Sequence, residues 1–196
     1  MRPTLLLASN SPRRRELLLE AGFEFETCGP DVAESLDSHL TLREVTALNA
    51  TRKALTAARS HPKKVVLAAD TLVAIDSQIL GKPKDVPHAA AMLERLSGRA
   101  HEVCTTVFIC HLARARSTSF SEISRVYFRQ LVRSEIDRYL ARVNPLDKAG
   151  AYAAQGFGNE IIKRIDGSFT NVVGLPMEKT IARLAEFGIT PGPETI

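Results

Sequence analysis

The sequence predicts an α/β domain built on a mixed sheet, and three observations carry that reading. Short apolar runs alternate with helical segments from one end of the chain to the other, the pattern of strands layered against helices. Two long extended stretches, 102–112 and 119–131, follow one another with no helix between them; they pair most simply as antiparallel neighbours, so the sheet is not all parallel. The chain has 196 residues, 44% hydrophobic and 24% charged, with no internal repeat and no low-complexity linker, which gives one domain over 1–196 with a packed core. Aromatic residues are only 6% and Trp is absent, so that core is expected to be Leu, Val, Ile and Ala.

The elements follow in order. Residues 4–8 read as a short buried strand. Ser9-Asn10-Ser11-Pro12 then turns into a helix over 13–21, with Ser11 at the cap, Pro12 in the first turn, Leu17 and Leu18 facing in, and Gly22 as the stop. Alternation at Phe23, Phe25 and Thr27 suggests a second strand. Residues 41–60 form a helix whose apolar positions are Leu42, Val45, Leu48 and Leu55. A nearly continuous apolar strand covers 64–75, broken by Asp70 and Thr71. A helix over 87–96, closed by Gly98, leads to the two long strands. A helix over 134–143 is capped by Ser134, 148–155 and 161–165 are short extended or turn-rich pieces, and 176–187 is the last helix, stopped by Gly188. The tail 190–196, with two prolines, is expected to fray.

Charge and composition narrow the function. A net charge of +4 favours an anionic ligand but has no basic tail behind it, so no stable nucleic-acid partner is expected. Three cysteines, Cys28, Cys104 and Cys110, are too few for a disulfide framework and contain no CxxC pair, which points to a reducing, cytoplasmic setting without structural zinc. Cys104 and Cys110 lie six apart on one strand and face the same way, into the core. The apolar run Leu5–Ala8 is too short for a signal-peptide core or a membrane span. A phosphate-binding GxxxxGK[ST] loop, a GxGxxG turn, a GxSxG elbow and zinc-like histidine spacing are all missing.

Several positions invite chemistry. Arg13 and Arg14 stand in the first turn of a helix, where cations oppose the helix dipole; a bound polyphosphate would explain them, and a solvated basic turn is the plainer alternative. Asp70 interrupts an apolar strand, where an ionised carboxylate needs a partner, a metal or a task as general base; pairing with a backbone turn is the structural alternative. Lys53 on a helix, Lys82 in Gly81-Lys82-Pro83 and Glu34 in a loop signify nothing alone. The tract 150–156 brings glycines and the bidentate amide of Gln155, and 171–176 is a second turn rich in Gly and Pro.

Taken together, Ser9-Asn-Ser-Pro-Arg-Arg-Arg-Glu-Leu-Leu18, Ala50-Thr-Arg-Lys53-Ala54, Ala69-Asp70-Thr71, Gly81-Lys82-Pro83, Leu96-Ser-Gly98 with His101, Gly150-Ala-Tyr152, Gln155-Gly156 and Asn171-Val-Val-Gly-Leu-Pro176 resemble the Maf family. Each motif is weak; the ordered set, spread over about 4–187, is specific. The resemblance implies a mixed twisted sheet with two lobes around a cleft, a homodimer, and hydrolysis of nucleoside triphosphates between the α and β phosphates with Mg²⁺ or Mn²⁺. It implies that Asp70 accepts a proton, that Glu34 joins it in placing metal or water, and that Ser9, Arg13, Arg14, Lys53 and Lys82 hold the triphosphate. Arg13, Thr71 and Gln155 fall where the family sets substrate preference. Gln155-Gly156 resembles the dTTP- and UTP-hydrolysing subgroup; the alternative within the same fold is the subgroup acting on 7-methyl-GTP, which usually has Glu at that place. The chain departs from the family at Ala33, where Asp is common, and at Ala154, where a larger apolar residue is common. A nucleotide-binding regulator of septum formation is the non-enzymatic alternative, disfavoured because a pure binder has no need of Asp70 and Glu34 among the cations.

Overall fold

The computed structural model describes residues 4–37 and 39–192. Its elements run β1 (Leu5–Ala8), α1 (Pro12–Glu20), β2 (Phe25–Cys28), α2 (Leu42–Ser60), β3 (Val65–Ile75), β4 (Gln78–Leu80), α3 (Val86–Leu96), β5 (Ala100–His111), β6 (Arg116–Phe128), α4 (Arg133–Leu140), the single-turn α5 (Gly158–Ile161), β7 (Ile162–Asp166), α6 (Phe169–Val173) and α7 (Met177–Glu186). Seven strands form one open sheet in the order β2-β1-β3-β5-β6-β7, with β4 attached to β3. β1 runs parallel to β2 and β3, while β3, β5, β6 and β7 are successively antiparallel, so the mixed α/β sheet expected from the sequence is present.

Strand alternation builds the two faces. Leu5, Leu7, Val65, Leu67 and Ala69 pack with Leu17 and Leu18 of α1 and Leu184 of α7. Leu6, Ala8, Val66, Ala68 and Cys110 pack with Ala54, Ala57 and Ala58 of α2 on the other side. A third cluster, around Leu93 and Leu96 of α3 and Ile136 and Tyr139 of α4, covers the far end of the sheet. Cys104 and Cys110 are both buried, as their spacing required.

Local details differ from expectation for physical reasons. After α1, Gly22 at φ 76 closes the helix: its N–H reaches Leu19 O and that of Phe23 reaches Leu18 O. That closure buries Phe23 beneath α1, so β2 starts at Phe25, two residues late. β4 was not foreseen. The β3–β4 hairpin turns on Asp76 and Ser77 at φ 53 and 61, a turn usually marked by Gly, and Arg99 holds Asp76 at 2.6 Å. Helix α4 begins at Arg133, not at a Ser134 cap; the Glu135 carboxylate accepts the Val132 N–H at 2.8 Å and does the capping instead. Gly192 N–H donates to Gly22 O at 2.8 Å, so residues 190–192 lie against the α1–β2 turn; the rest of the expected frayed tail, 193–196, is outside the described residues.

In α2 the inward face is only in part the expected one, for Val45 is buried and Leu55 packs partly on the sheet but Leu48 does not. Leu48 is 40% exposed, while Thr46, Asn49 and Lys53 are buried with Val45, Ala50 and Ala54. Alanines let the helix lie close on the sheet, and the polar groups beneath it find partners there. A capping box between Thr41 and Glu44 fixes where α2 starts.

His101 stands edge-on to Phe128 and Tyr152, with ring centroids 4.9 and 5.4 Å away, and its Nε2 lies 2.8 Å from the Tyr152 hydroxyl. Among the described residues the buried Nδ1 has no partner, so a second ring N–H would find no acceptor there, and burial pushes the His101 pKa down to about 4. An unfolded histidine titrates near 6.5, so between those values the unfolded chain holds a proton that the folded chain does not. Stability therefore falls as pH drops through that window, by up to about 1.4 kcal/mol per pH unit. Urea unfolding at pH 7 and pH 5 should show a steeper loss in the parent than in His101→Gln; equal slopes would contradict the buried neutral imidazole.

Candidate functional site

The alternation of β3 continues past the core and sets the site. Val66, Ala68 and Asp70 share one face, so Asp70 points toward α2; Thr71 continues the opposite row, toward α1 and α6. β5 pairs one edge of β3 from Val66 to Ala74. The other edge is paired by β1 only through Leu67 and by β4 only from Val73. Asp70 and Thr71 thus sit in a gap on that edge, just beyond the carboxyl end of β1, the place where open α/β sheets leave room for a ligand. A cavity of about 610 Å³ opens there. The β1–α1 turn, residues 30–36, β3, Gly81-Lys82, residues 147–154 and 172–174 wall it. Gly150, at φ 69, lets the 147–154 segment approach β3: a Cβ at that position would meet Val73 at 3.1 Å, and Gly150 N–H bonds Gly81 O.

The charged centre is Lys53. Its ammonium lies 2.6 Å from Asp70 Oδ1 and 2.6 Å from Glu34 Oε1, bridging the two carboxylates. Lys82 approaches Glu34 Oε2 at 3.1 Å. Asp70 is 3% exposed, and its second oxygen, Oδ2, accepts from Asn49 Nδ2 at 3.0 Å, so each of its oxygens has a partner. Burial alone would raise the Glu34 pKa; the hydrogen bond and charge of Lys53, then the charge of Lys82, outweigh it and hold the carboxyl at about 2.

The two arginines of α1 part ways. Arg14 is buried; its Nε donates to Gly174 O at 2.8 Å, Nη2 to Thr71 Oγ1 at 2.9 Å and Nη1 to Ser9 Oγ at 3.3 Å. Desolvation by burial lowers its pKa. Arg14, expected as a phosphate ligand, lines the cavity and also braces the β1–α1 turn, β3 and the end of α6. Thr71 Oγ1 also lies 2.9 Å from Thr105 Oγ1, which places this hydroxyl inside the brace. Ser9 Oγ accepts the Ser11 N–H at 3.2 Å; Ser11 itself makes no side-chain cap, contrary to expectation. Arg13 is more open and reaches across the cavity to Asp147 at 3.0 Å. Lys148 also contacts Asp147, at 2.5 Å.

Eight of the nine residues singled out from the sequence, Ser9, Arg13, Arg14, Glu34, Lys53, Asp70, Thr71 and Lys82, line this one cavity. Gln155 is not among the lining residues; its neighbours Ala153 and Ala154 are. Three participants went unremarked. Asn49 is four residues before Lys53 and hence on the same helical face, a signal that was available. Asp147 and Lys148 enter through the tertiary fold and left no local signal.

At the far end the walls turn apolar, with Val73, Val103, Val172 and Tyr152. The cavity thus combines a cationic, carboxylate-bearing wall with an apolar one, suited to a ligand with an anionic head and a flat, less polar body.

The model of the Maf-like protein family matches residues 4–187. A protein named dTTP/UTP pyrophosphatase from Bacillus pumilus (strain SAFR-032) is 46% identical over 187 residues, covering 95% of this chain and 98% of that one. Another of the same name, from Bacillus cytotoxicus, is 41% identical over 182 residues, covering 93% of this chain and 94% of that one. Among solved structures, a HAM1 protein from Coxiella burnetii overlaps at a TM-score of 0.46 and 19% identity, over 64% of this chain and 73% of that one, too loose to carry weight. With the family's motifs in order along the chain and gathered at one cavity, the chain belongs to the Maf-like protein family.

Proposed function

We propose that this chain is a nucleoside triphosphate pyrophosphatase that hydrolyses dTTP and UTP to the monophosphate and pyrophosphate. The observation that carries the reading is the convergence of Asp70 and Glu34 with Lys53, Lys82 and Arg13 on one cavity beyond the end of β1. The Bacillus relatives named dTTP/UTP pyrophosphatase, similar over nearly the whole chain, support the substrate class. Free cysteines at 28, 104 and 110 suit a reducing compartment, and among the described residues no helix is long and apolar enough to cross a membrane.

In this mechanism the triphosphate lies among Lys53, Lys82 and Arg13, which exchange their carboxylate partners for phosphate oxygens. Phosphoryl chemistry asks the protein mainly for position and charge, and three cations next to two carboxylates supply both. Asp70 takes the proton of the water that attacks the α phosphorus, and the bond to the β-phosphate oxygen breaks with pyrophosphate leaving. The buried setting of Asp70 keeps bulk water off the reacting atoms. The apolar end, with Val73, Val103 and Val172, takes the base. We assign the imide edge of thymine or uracil to Gln155, because a carboxamide both donates and accepts.

A divalent cation fits this donor set. Asp70 and Glu34 already converge on a single cationic position, the Lys53 ammonium. Among the described residues no cluster of three or more His, Cys, Asp or Glu side chains exists to hold an ion alone. Two carboxylates completed by phosphate oxygens and water are a usual arrangement for Mg²⁺. Asp70 and Glu34 would hold Mg²⁺ or Mn²⁺ together with substrate, and the ion would supply acidity to a bound water and neutralise phosphate charge.

With Mg²⁺ or Mn²⁺, pyrophosphate release from a panel of triphosphates should be fastest with dTTP and UTP, and Asp70→Asn should lower kcat by about 10²-fold or more. Near-normal turnover of that variant, or a preference for purine triphosphates, would reject the assignment. Arg13→Ala should raise KM for dTTP by roughly tenfold, the scale of one lost charged contact, with an unchanged melting temperature. Arg14→Ala should cost roughly 1.5–3 kcal/mol of stability, because it empties a buried hydrogen-bonded brace. Identical effects of the two variants would contradict their different places.

A further inference from the structure

Loop 29–36 carries Glu34 but has little structure of its own. β2 ends at Cys28 and α2 does not begin until Leu42. Among the described residues, the backbone hydrogen bonds that tie 29–36 to the rest of the fold are two, and both go to one side chain. Asn49 Oδ1 accepts the Ser35 N–H at 2.8 Å, and Asn49 Nδ2 donates to Ser35 O at 3.0 Å. The second N–H of the same amide donates to Asp70 Oδ2 at 3.0 Å. Asn49 is 0% exposed, so none of these bonds is shared with solvent.

We infer that Asn49 is a positioning residue for hydrolysis, one carboxamide that fixes Asp70 and the Glu34-bearing loop in a single frame. The inference rests on the proposed pyrophosphatase reading and deepens it. Only a carboxamide offers one acceptor and two donors from a planar group, and each of the three has a partner here. Leucine has nearly the same bulk and none of the bonds. Aspartate keeps an acceptor for Ser35 N–H but loses both donors and sets a carboxylate against Asp70. The placement is also sequence-specific: Asn49 and Lys53 are one helical turn apart, so the residue that bridges the two carboxylates and the residue that orients them ride on the same face of α2. Lys53 supplies charge; Asn49 supplies direction, holding Asp70 by the oxygen that Lys53 does not use.

The consequence is a loss in turnover rather than in substrate binding. Lys82 and Arg13, which meet the triphosphate, do not touch Asn49, whereas Asp70 and the Glu34 loop do. Asn49→Leu and Asn49→Asp should each lower kcat for dTTP by about 10- to 100-fold, the usual scale for a lost bond to a working carboxylate, with KM within about threefold of the parent. Thr46→Val is the control. Thr46 is equally buried on the same helix but bonds Thr106 and the helix backbone, and none of Asp70, Glu34 or Ser35. Its melting temperature should fall while kcat stays at the parent value. Measured side by side, kcat within about twofold of the parent in both Asn49 variants would overturn the inference, as would a kcat loss in Thr46→Val equal to theirs. If Asn49→Leu does not fold, Asn49→Asp carries the test; if neither folds, the residue is structural and the inference is overturned. A parent chain that releases no pyrophosphate from any triphosphate rejects the function reading and takes the inference with it. An active parent with normal Asn49 variants rejects the inference alone.

Discussion

Everything at the site depends on one buried ammonium. Lys53 is nearly closed to solvent and stands between two carboxylates at 2.6 Å each. A charge in such a place is tolerable only with close partners, and the same holds for Asp70 beneath it. Each therefore requires the other. α2 must lie close enough on the sheet to deliver Lys53, which its alanine face permits, and the 29–36 loop must fold back to deliver Glu34. Two buried charges that would be costly apart, Lys53 and Asp70, thus form a compact set with the more open Glu34.

The sheet topology explains why that set sits where it does. The open edge of β3 between its β1 and β4 partners is the consequence of a short first strand and a short hairpin strand. In that gap, neighbouring residues serve opposite faces: Asp70 turns to Lys53 of α2, and Thr71 turns to the Arg14 brace. The brace in turn pins α1, so Arg13 in the next position is held at the cavity mouth. Two adjacent arginines with similar sequence context end in different work because one is directed into the fold and the other across the cavity.

Much of this was legible in the sequence, and the failures are instructive. The continuous apolar run of β3 marked a buried strand, and a carboxylate inside it marked the site. The strand-turn-helix at 4–20 and the paired strands β5 and β6 were equally plain. Periodicity misled in α2. Leu42, Val45, Leu48 and Leu55 suggested the inward face; Val45 is buried and Leu55 packs in part, yet Leu48 is exposed and the buried face also carries Thr46, Asn49 and Lys53. Hydrophobic pattern reads the cost of exposing apolar groups; it is blind to polar groups buried for a partner elsewhere. The partners of Asn49 lie in a loop fourteen residues before it and a strand twenty-one residues after it, and only the fold joins them. The Asp76-Ser77 turn escaped for a related reason: distant arginines stabilise a geometry that glycine normally marks. Gln155, singled out for its amide in the tract 150–156 and by resemblance, is not among the residues lining the cavity, although Ala153 and Ala154 are.

The central claim is that Asp70 directs water onto the α phosphorus while the cations hold the leaving pyrophosphate. Hydrolysis of dTTP in H₂¹⁸O, with both products analysed by mass spectrometry, tests it most directly. The account predicts one ¹⁸O atom in the monophosphate and none in pyrophosphate. Label in pyrophosphate, or release of labelled orthophosphate, would place the attack on another phosphorus and contradict it.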